Sequence, residues 1–281
     1  MLAAPYAFVS SLICCDGHDS VDVAYPGSTR FGVNSADKPR AAGYGSLMIQ
    51  MRRLMLRYPS GKTALSGMTM HIEKGRFAYL TGESGAGKSS LLRCLYGGVK
   101  ASSGQLQVQG VDLRDAGQQQ VRRLRRDIGI IFQDHRLLFA RTVFENVALP
   151  LRVQGWKPDR LVARAEKVLE FVGLKDRLWS FPEALSGGEQ QRVAIARAMS
   201  TQPALILADE PTGNLDIETA RHVMDYLMEL NHQGSTVIMA THDLHLIDTH
   251  PGDIFRLHAG ALAEELHLVS PGSRSKESGD E

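Results

Sequence analysis

The residues best placed to do chemistry are Gly82, Glu83, Ser84, Gly85, Ala86, Gly87, Lys88 and Ser89, which match the spacing G-x-x-x-x-G-K-[ST]. An apolar strand pattern precedes them and a helical pattern, Ser89 to Tyr96, follows, which is the setting that spacing requires. Small residues let backbone N–H groups close around phosphate oxygens, and the helix N-terminus adds partial positive charge. Lys88 is placed to reach the β- and γ-phosphates of a nucleoside triphosphate, and the Ser89 hydroxyl to ligate Mg²⁺. Ser90, next on the helix, completes the expected nucleotide-binding set from this loop.

Three further apolar runs end in polar residues. Ala204 to Ala208 ends in Asp209 and Glu210. Asp209 is expected to hold Mg²⁺ through water, and Glu210 to orient or deprotonate an attacking water. Ile128 to Phe132 ends in Gln133, which can reach the metal or the water, and Val237 to Thr241 ends in His242. Taken singly, an acidic pair after a strand is more often a helix cap, and a lone histidine is more often structural. In open parallel sheets, however, ligands bind at the carboxyl ends of the strands, and here four such ends carry chemistry. A fifth feature is Ser186 with Glu189 three residues on, a capping-box spacing before the apolar stretch Val193 to Met199. Gly187 and Gly188 weaken that helix start unless something must approach its backbone, so the turn reads as a second anion site.

Strands alternating with helices must position these groups, which predicts a mainly parallel sheet. Leu161, Ala165, Val168, Leu169 and Val172 share one helical face, as do Ala220, Val223, Met224, Leu227 and Met228. About 135–182 reads as helices without a strand, an inserted helical subdomain. Residues 47–58 read as an imperfect strand. Residues 1–46 lack periodicity and are read as a disordered or mis-assigned extension, with Met48 or Met51 as the natural start. Residues 270–281 read as a disordered polar tail.

Composition bounds the function. With a net charge of +1, no global field draws the chain to nucleic acid or anionic lipid. No apolar run reaches the ~18 residues of a membrane span, and Cys14, Cys15 and Cys94 make neither a disulfide framework nor a metal motif. Arg122, Arg123, Arg125 and Arg126 form a basic run without aromatic partners, read as a solvated face or a surface near a membrane or partner.

Leu185, Ser186, Gly187, Gly188, Glu189, Gln190 and Gln191 resemble the signature sequence of ABC (ATP-binding cassette) ATPases, and Ser186 lies 23 residues before Asp209. With the other motifs in order, the resemblance covers about 48–267. It implies an α/β P-loop NTPase with a mainly parallel core, an antiparallel β subdomain and an inserted helical subdomain. It also implies ATP hydrolysis with Mg²⁺ in a head-to-tail homodimer, the turn of Ser186, Gly187 and Gly188 in one copy capping the γ-phosphate held by the other. Lys88, Glu210 and His242 take the catalytic roles; Ser89, Gln133 and Asp209 take the metal; Tyr58 stacks on adenine; and Gly213, Asn214, Leu215 and Asp216 match the loop that crosses the dimer interface.

Ile131 to Val147, Leu80 to Lys88 and Leu207 to Asp216 are similar to the FtsE family of bacterial cell-division ATPases. That similarity implies an integral membrane partner resembling FtsX, a peripheral position on the cytoplasmic face of the inner membrane, and relay of ATP-driven movement to cell-wall hydrolysis. The alternative is the ATPase of a lipoprotein-release or macrolide-type exporter. A soluble ABC protein of translation or DNA repair would carry two cassettes or a long coiled-coil insertion, and neither is present.

Overall fold

The computed structural model describes residues 47–213 and 215–267. The expectations for 1–46, for 270–281 and for Asn214 lie outside the described residues.

Two sheets carry the chain. The first is antiparallel, in the order β2-β1-β4-β5: β1 (Leu47–Arg57), β2 (Thr63–Glu73), β4 (Ser103–Val108) and β5 (Val111–Asp112). Alternation along β1 is imperfect because register shifts interrupt its pairing between Met51 and Leu54, where Arg53 has φ +47°. A bulge of this kind sets two successive side chains, Arg52 and Arg53, toward solvent.

The second sheet has the order β10-β9-β3-β8-β7-β6. Strands β3 (Phe77–Thr81), β6 (Ile128–Ile131), β7 (Leu205–Asp209), β8 (Thr236–Ala240) and β9 (Asp253–His258) run parallel, and β10 (Ala261–Leu266) pairs antiparallel to β9. Every residue of β3 and β8 is buried, so these strands read as continuous apolar runs. The observed bounds differ from the expected ones by a residue: β6 stops at Ile131, β7 extends to Asp209, and β8 spans Thr236–Ala240.

Seven helices were found among the described residues. They are α1 (Lys88–Leu95), α2 (Gln118–Arg126), α3 (Val143–Val153), α4 (Pro158–Phe171), α5 (Gly187–Met199), α6 (Ile217–His232) and α7 (Leu244–Thr249). Helices α3 and α4 and two short 3-10 turns, Lys175–Arg177 and Pro182–Ala184, follow one another between β6 and α5. There α3 begins at a capping box, Thr142 accepting from Glu145 N while Glu145 Oε2 accepts from Thr142 N.

Asn146, fully buried on α3, holds the loop before it. Its Oδ1 accepts from Leu138 N at 2.8 Å, and its Nδ2 donates to Leu138 O, Arg141 O and Thr142 O. Asn146→Ala is expected to cost about 1–3 kcal/mol, because the half-buried backbone groups of the preceding loop would lose their partner. Urea denaturation monitored by circular dichroism would measure this.

Candidate nucleotide and water-activation site

The parallel register brings the predicted strand ends to one edge. Leu80 pairs with Ala240, Ala240 with Asp209, and Ala208 with Ile131. The residues that follow are therefore neighbours: Gly82 after β3, Glu210 after β7, Gln133 after β6 and His242 after β8. Two bonds extend the ladder past its end, Thr241 N to Leu80 O at 3.1 Å and Glu210 N to Ala240 O at 2.9 Å.

In the loop between β3 and α1, two of the three glycines stand where no side chain fits. Gly82 has φ +134°, and a Cβ there would lie 2.2 Å from Leu257 O. Gly87, at φ +110°, would bring one to 2.6 Å from Ala64 O. Strand β9 and the start of β2 thus press the loop from behind, while Glu83, Ser84 and Gly85 face solvent. Ala86 closes the loop, donating to Glu83 O and accepting from Gly260 N at 3.0 Å. Helix α1 begins at Lys88, one residue earlier than the sequence suggested.

Lys88 is buried and donates from Nζ to Gly82 O at 2.7 Å and Glu83 O at 3.2 Å. Its ammonium is thereby held over the loop mouth by carbonyls that a triphosphate can replace. Ser89 Oγ donates to Asp209 Oδ1 at 3.0 Å. Burial pushes the Asp209 carboxyl above its usual range, the Ser89 bond opposes this, and Glu210 adds repulsion. A desolvated carboxylate beside a hydroxyl is a hard-oxygen donor pair that a small divalent cation suits. Gln133 is exposed and shares a cleft of about 380 Å³ with both groups.

Glu210 is one of few non-glycine residues with positive φ, at +46°. Its Oε1 lies 3.6 Å from Nδ1 of His242, too far for a hydrogen bond. The His242 side chain is largely exposed. Tyr58, at the end of β1, reaches the same region: its hydroxyl lies 3.2 Å from Ser90 Oγ.

The Ser186 turn is built as its spacing predicted. Ser186 Oγ accepts from Glu189 N at 3.3 Å and donates to Glu189 Oε2 at 2.9 Å, and Ser186 N donates to that same oxygen at 2.9 Å. These bonds, the Ser186 backbone first, hold the Glu189 carboxyl below its ordinary range. Ser186 and Gly187 are exposed, and nothing lies near the Cβ position of Gly187. Gly188 differs. A Cβ there would meet Thr219 of α6 at 3.1 Å, so packing within the chain accounts for this glycine in part. Among the described residues, no hydrogen bond joins the Ser186 turn to the Gly82–Ser89 loop. Asp216 caps α6, accepting from Thr219 N at 2.9 Å.

A scan against family models matches residues 65–213 to the ABC transporter family. The chain belongs to the ABC transporter family. This ABC ATPase is 46% identical over 215 residues to the cell division ATP-binding protein FtsE of Escherichia coli K12, covering 76% of this chain and 97% of that protein. It is 42% identical over 218 residues to the FtsE of Bacillus subtilis 168, covering 78% and 96%. A dimeric ATP-binding cassette solved in a post-hydrolysis state with ADP and Pi superposes with a TM-score of 0.74 at 33% identity, covering 79% of this chain and all of that one.

One residue of the cassette, Arg197, escapes motif reading, and Gln191, at the end of the signature, makes a bond the motif does not show. Arg197 of α5 donates to Arg136 O and His135 O, each at 2.6 Å, clamping a turn whose two residues both have positive φ. Gln191, buried on α5, donates to Pro211 O at 2.6 Å and ties the signature helix to the turn after Glu210. The available signal was a cation inside the otherwise apolar stretch Val193 to Met199.

Proposed function

We propose that this chain is the ATP-hydrolysing subunit of an FtsEX-type complex of bacterial cell division. On this reading it acts as a head-to-tail homodimer on the cytoplasmic face of the inner membrane, bound to an integral partner resembling FtsX. ATP hydrolysis drives a movement that the partner relays to cell-wall hydrolysis. The observation that carries the catalytic part is the shared edge: Lys88, Ser89, Asp209, Glu210 and His242 at neighbouring ends of one parallel sheet.

The division of labour follows from those positions. The loop N–H groups and Lys88 bind the β- and γ-phosphates, exchanging two carbonyl contacts for charged oxygens. Tyr58 supports the adenine ring from the end of β1. Ser89, Asp209 and Gln133 would hold Mg²⁺, which would neutralise phosphate charge during transfer. Glu210, fixed by its backbone, takes the proton of the attacking water, and His242 steadies the departing phosphate. The exposed Ser186 turn of a second copy supplies N–H groups to the γ-phosphate from the opposite side. The dimeric relative with ADP and Pi supports this arrangement.

Among the described residues, no helix is long and apolar enough to cross a membrane. The helical insertion instead exposes Leu138, Phe139, Val153, Trp179 and Phe181. Exposed aromatics grouped on one subdomain favour a protein partner there, which is the contact an FtsX-like subunit would make.

Lys88→Ala is expected to weaken ATP binding on the order of 10- to 100-fold, the worth of charge-assisted bonds to phosphate. Titration with a fluorescent ATP analogue measures this, and unchanged affinity would count against the loop assignment. The partner is tested by isolating the tagged chain from detergent-solubilised membranes and identifying what co-elutes by mass spectrometry. A division-type membrane subunit is expected, and recovery of an export permease would overturn the cell-division reading.

A further inference from the structure

The basic run on α2 is not absorbed by the nucleotide site. Arg125 donates to Tyr96 O at 3.0 Å and Gly97 O at 2.6 Å, closing the end of α1. Arg122 and Lys100, among the described residues, engage no hydrogen bond or ion pair. Both stand on the rim of a cavity of about 390 Å³ whose walls include Val99, Leu106, Leu113 and Val121. That volume lies in the range of about 300–1,000 Å³ typical of specific binding pockets. A second cleft, about 590 Å³, adjoins the first through Gly104 and Arg114 and is lined by Arg52 and Arg53. Neither cleft has a carboxylate among its lining residues. Between residues 97 and 126 there are six cations against Asp112 and Asp115.

The edge of β4 runs between the two clefts. Strand β5 pairs with β4 only at Gln107 and Val108, so Ser103, Gly104 and Gln105 have no strand beside them on that side. Leu106 O is already used by Leu113 N at 2.8 Å. Gly104 O is covered only by the exposed Arg114 guanidinium, at 3.3 Å, a side chain that can swing away. On the other side, the β1 bulge at Arg53 packs its carbonyl against Gly104, where a Cβ would come to 2.3 Å. The bulge therefore fixes both the local edge and the two exposed arginines next to it.

These observations select a ligand chemistry. An unpaired strand edge offers main-chain hydrogen bonds to an extended chain. The adjacent cavity takes one apolar side chain, and uncompensated cations on both sides favour carboxylates in the flanking positions. A lipid headgroup would use the cations and leave the edge unpaired. We propose that residues 103–105 of β4 are a strand-addition site for an extended acidic peptide, with an apolar anchor in the Leu106–Val121 cavity and carboxylates on Arg53, Arg114 and Arg122. The linings of the two clefts share no residue with the nucleotide site, so the proposal stands or falls independently of the ATPase assignment.

The test titrates the full chain with a fluorescein-labelled eight-residue peptide alternating glutamate and valine, followed by anisotropy at low salt. Saturable binding is expected, weakened at least ~10-fold by Arg114→Glu combined with Arg122→Glu, whose loss of charged contacts sets that scale. Ala116→Trp, which fills the cavity, should weaken it independently. N-methylation of alternate peptide amides should abolish binding, and bound peptide should slow amide exchange at 103–105. Basal ATP hydrolysis of the variants should match that of the parent chain, which shows they are folded. The proposal is overturned by no saturation to about 1 mM, a weak limit for a specific contact, or by undiminished binding of the N-methylated peptide. Binding of anionic phospholipid vesicles in place of the peptide would assign the cations to a membrane and overturn it too.

Discussion

Glu210→Gln is expected to slow ATP hydrolysis by about 10²- to 10⁴-fold, the usual worth of a positioned general base, while ATP still binds. The backbone places this residue. Glu210 N is held by Ala240 O at 2.9 Å, Glu210 O accepts from Gly213 N at 3.3 Å, and φ is +46°. None of these depends on the carboxylate. Glutamine keeps the shape and the backbone bonds but cannot accept a proton from water, so loss of rate without loss of affinity isolates the chemical role. If the γ-phosphate joins two copies, a chain that binds ATP without cleaving it should also accumulate as a dimer. Single-turnover phosphate release and sedimentation velocity with ATP measure the two effects. Parent-like turnover would refute Glu210 as the base, and a strictly monomeric ATP-bound variant, even with its membrane partner supplied, would undo the two-copy site.

Much of this geometry was legible because of where parallel strands sit. Strands β3, β6, β7 and β8 are buried, so their sequences are short apolar runs, and the first polar residue after each marks the edge where ligands bind. The Ser186–Glu189 cap was legible for a local reason: its partners are three residues apart. Arg197 and Asn146 were not legible, because their partners are backbone carbonyls and amides. Any residue presents those groups, and for Arg197 they lie 61 and 62 residues away. The same holds for Gly188, whose neighbour Thr219 comes from another helix. Sequence spacing could show that a small residue was needed there. It could not show whether a ligand or the chain itself required it. The bulge in β1 likewise blurs its alternation, because the shift at Arg53 answers to Gly104 on a neighbouring strand.

Gly82→Ala separates the fold's demand on the loop from the ligand's. At φ +134° an alanine is strained, and its Cβ would lie 2.2 Å from Leu257 O, a backbone atom of β9 that pairs within the sheet. Neither cost can be relieved by a side-chain rotation. The expected destabilisation is about 2–4 kcal/mol, which corresponds to a fall in Tm of roughly 5–10 °C for a chain of this size. Gly85→Ala is the comparison. It also has positive φ, +84°, but nothing lies within 4 Å of its Cβ position, so only backbone strain of about 1 kcal/mol applies. Scanning calorimetry of both variants without nucleotide should therefore rank them well apart. Nucleotide binding adds a second axis. Gly82 O accepts from Lys88 Nζ at 2.7 Å, so displacing Gly82 also moves the ammonium, and affinity should fall along with stability. Equal Tm values for the two variants would mean that the approach of β9 does not constrain the loop, and the rigid cradle behind Lys88 would have to be abandoned.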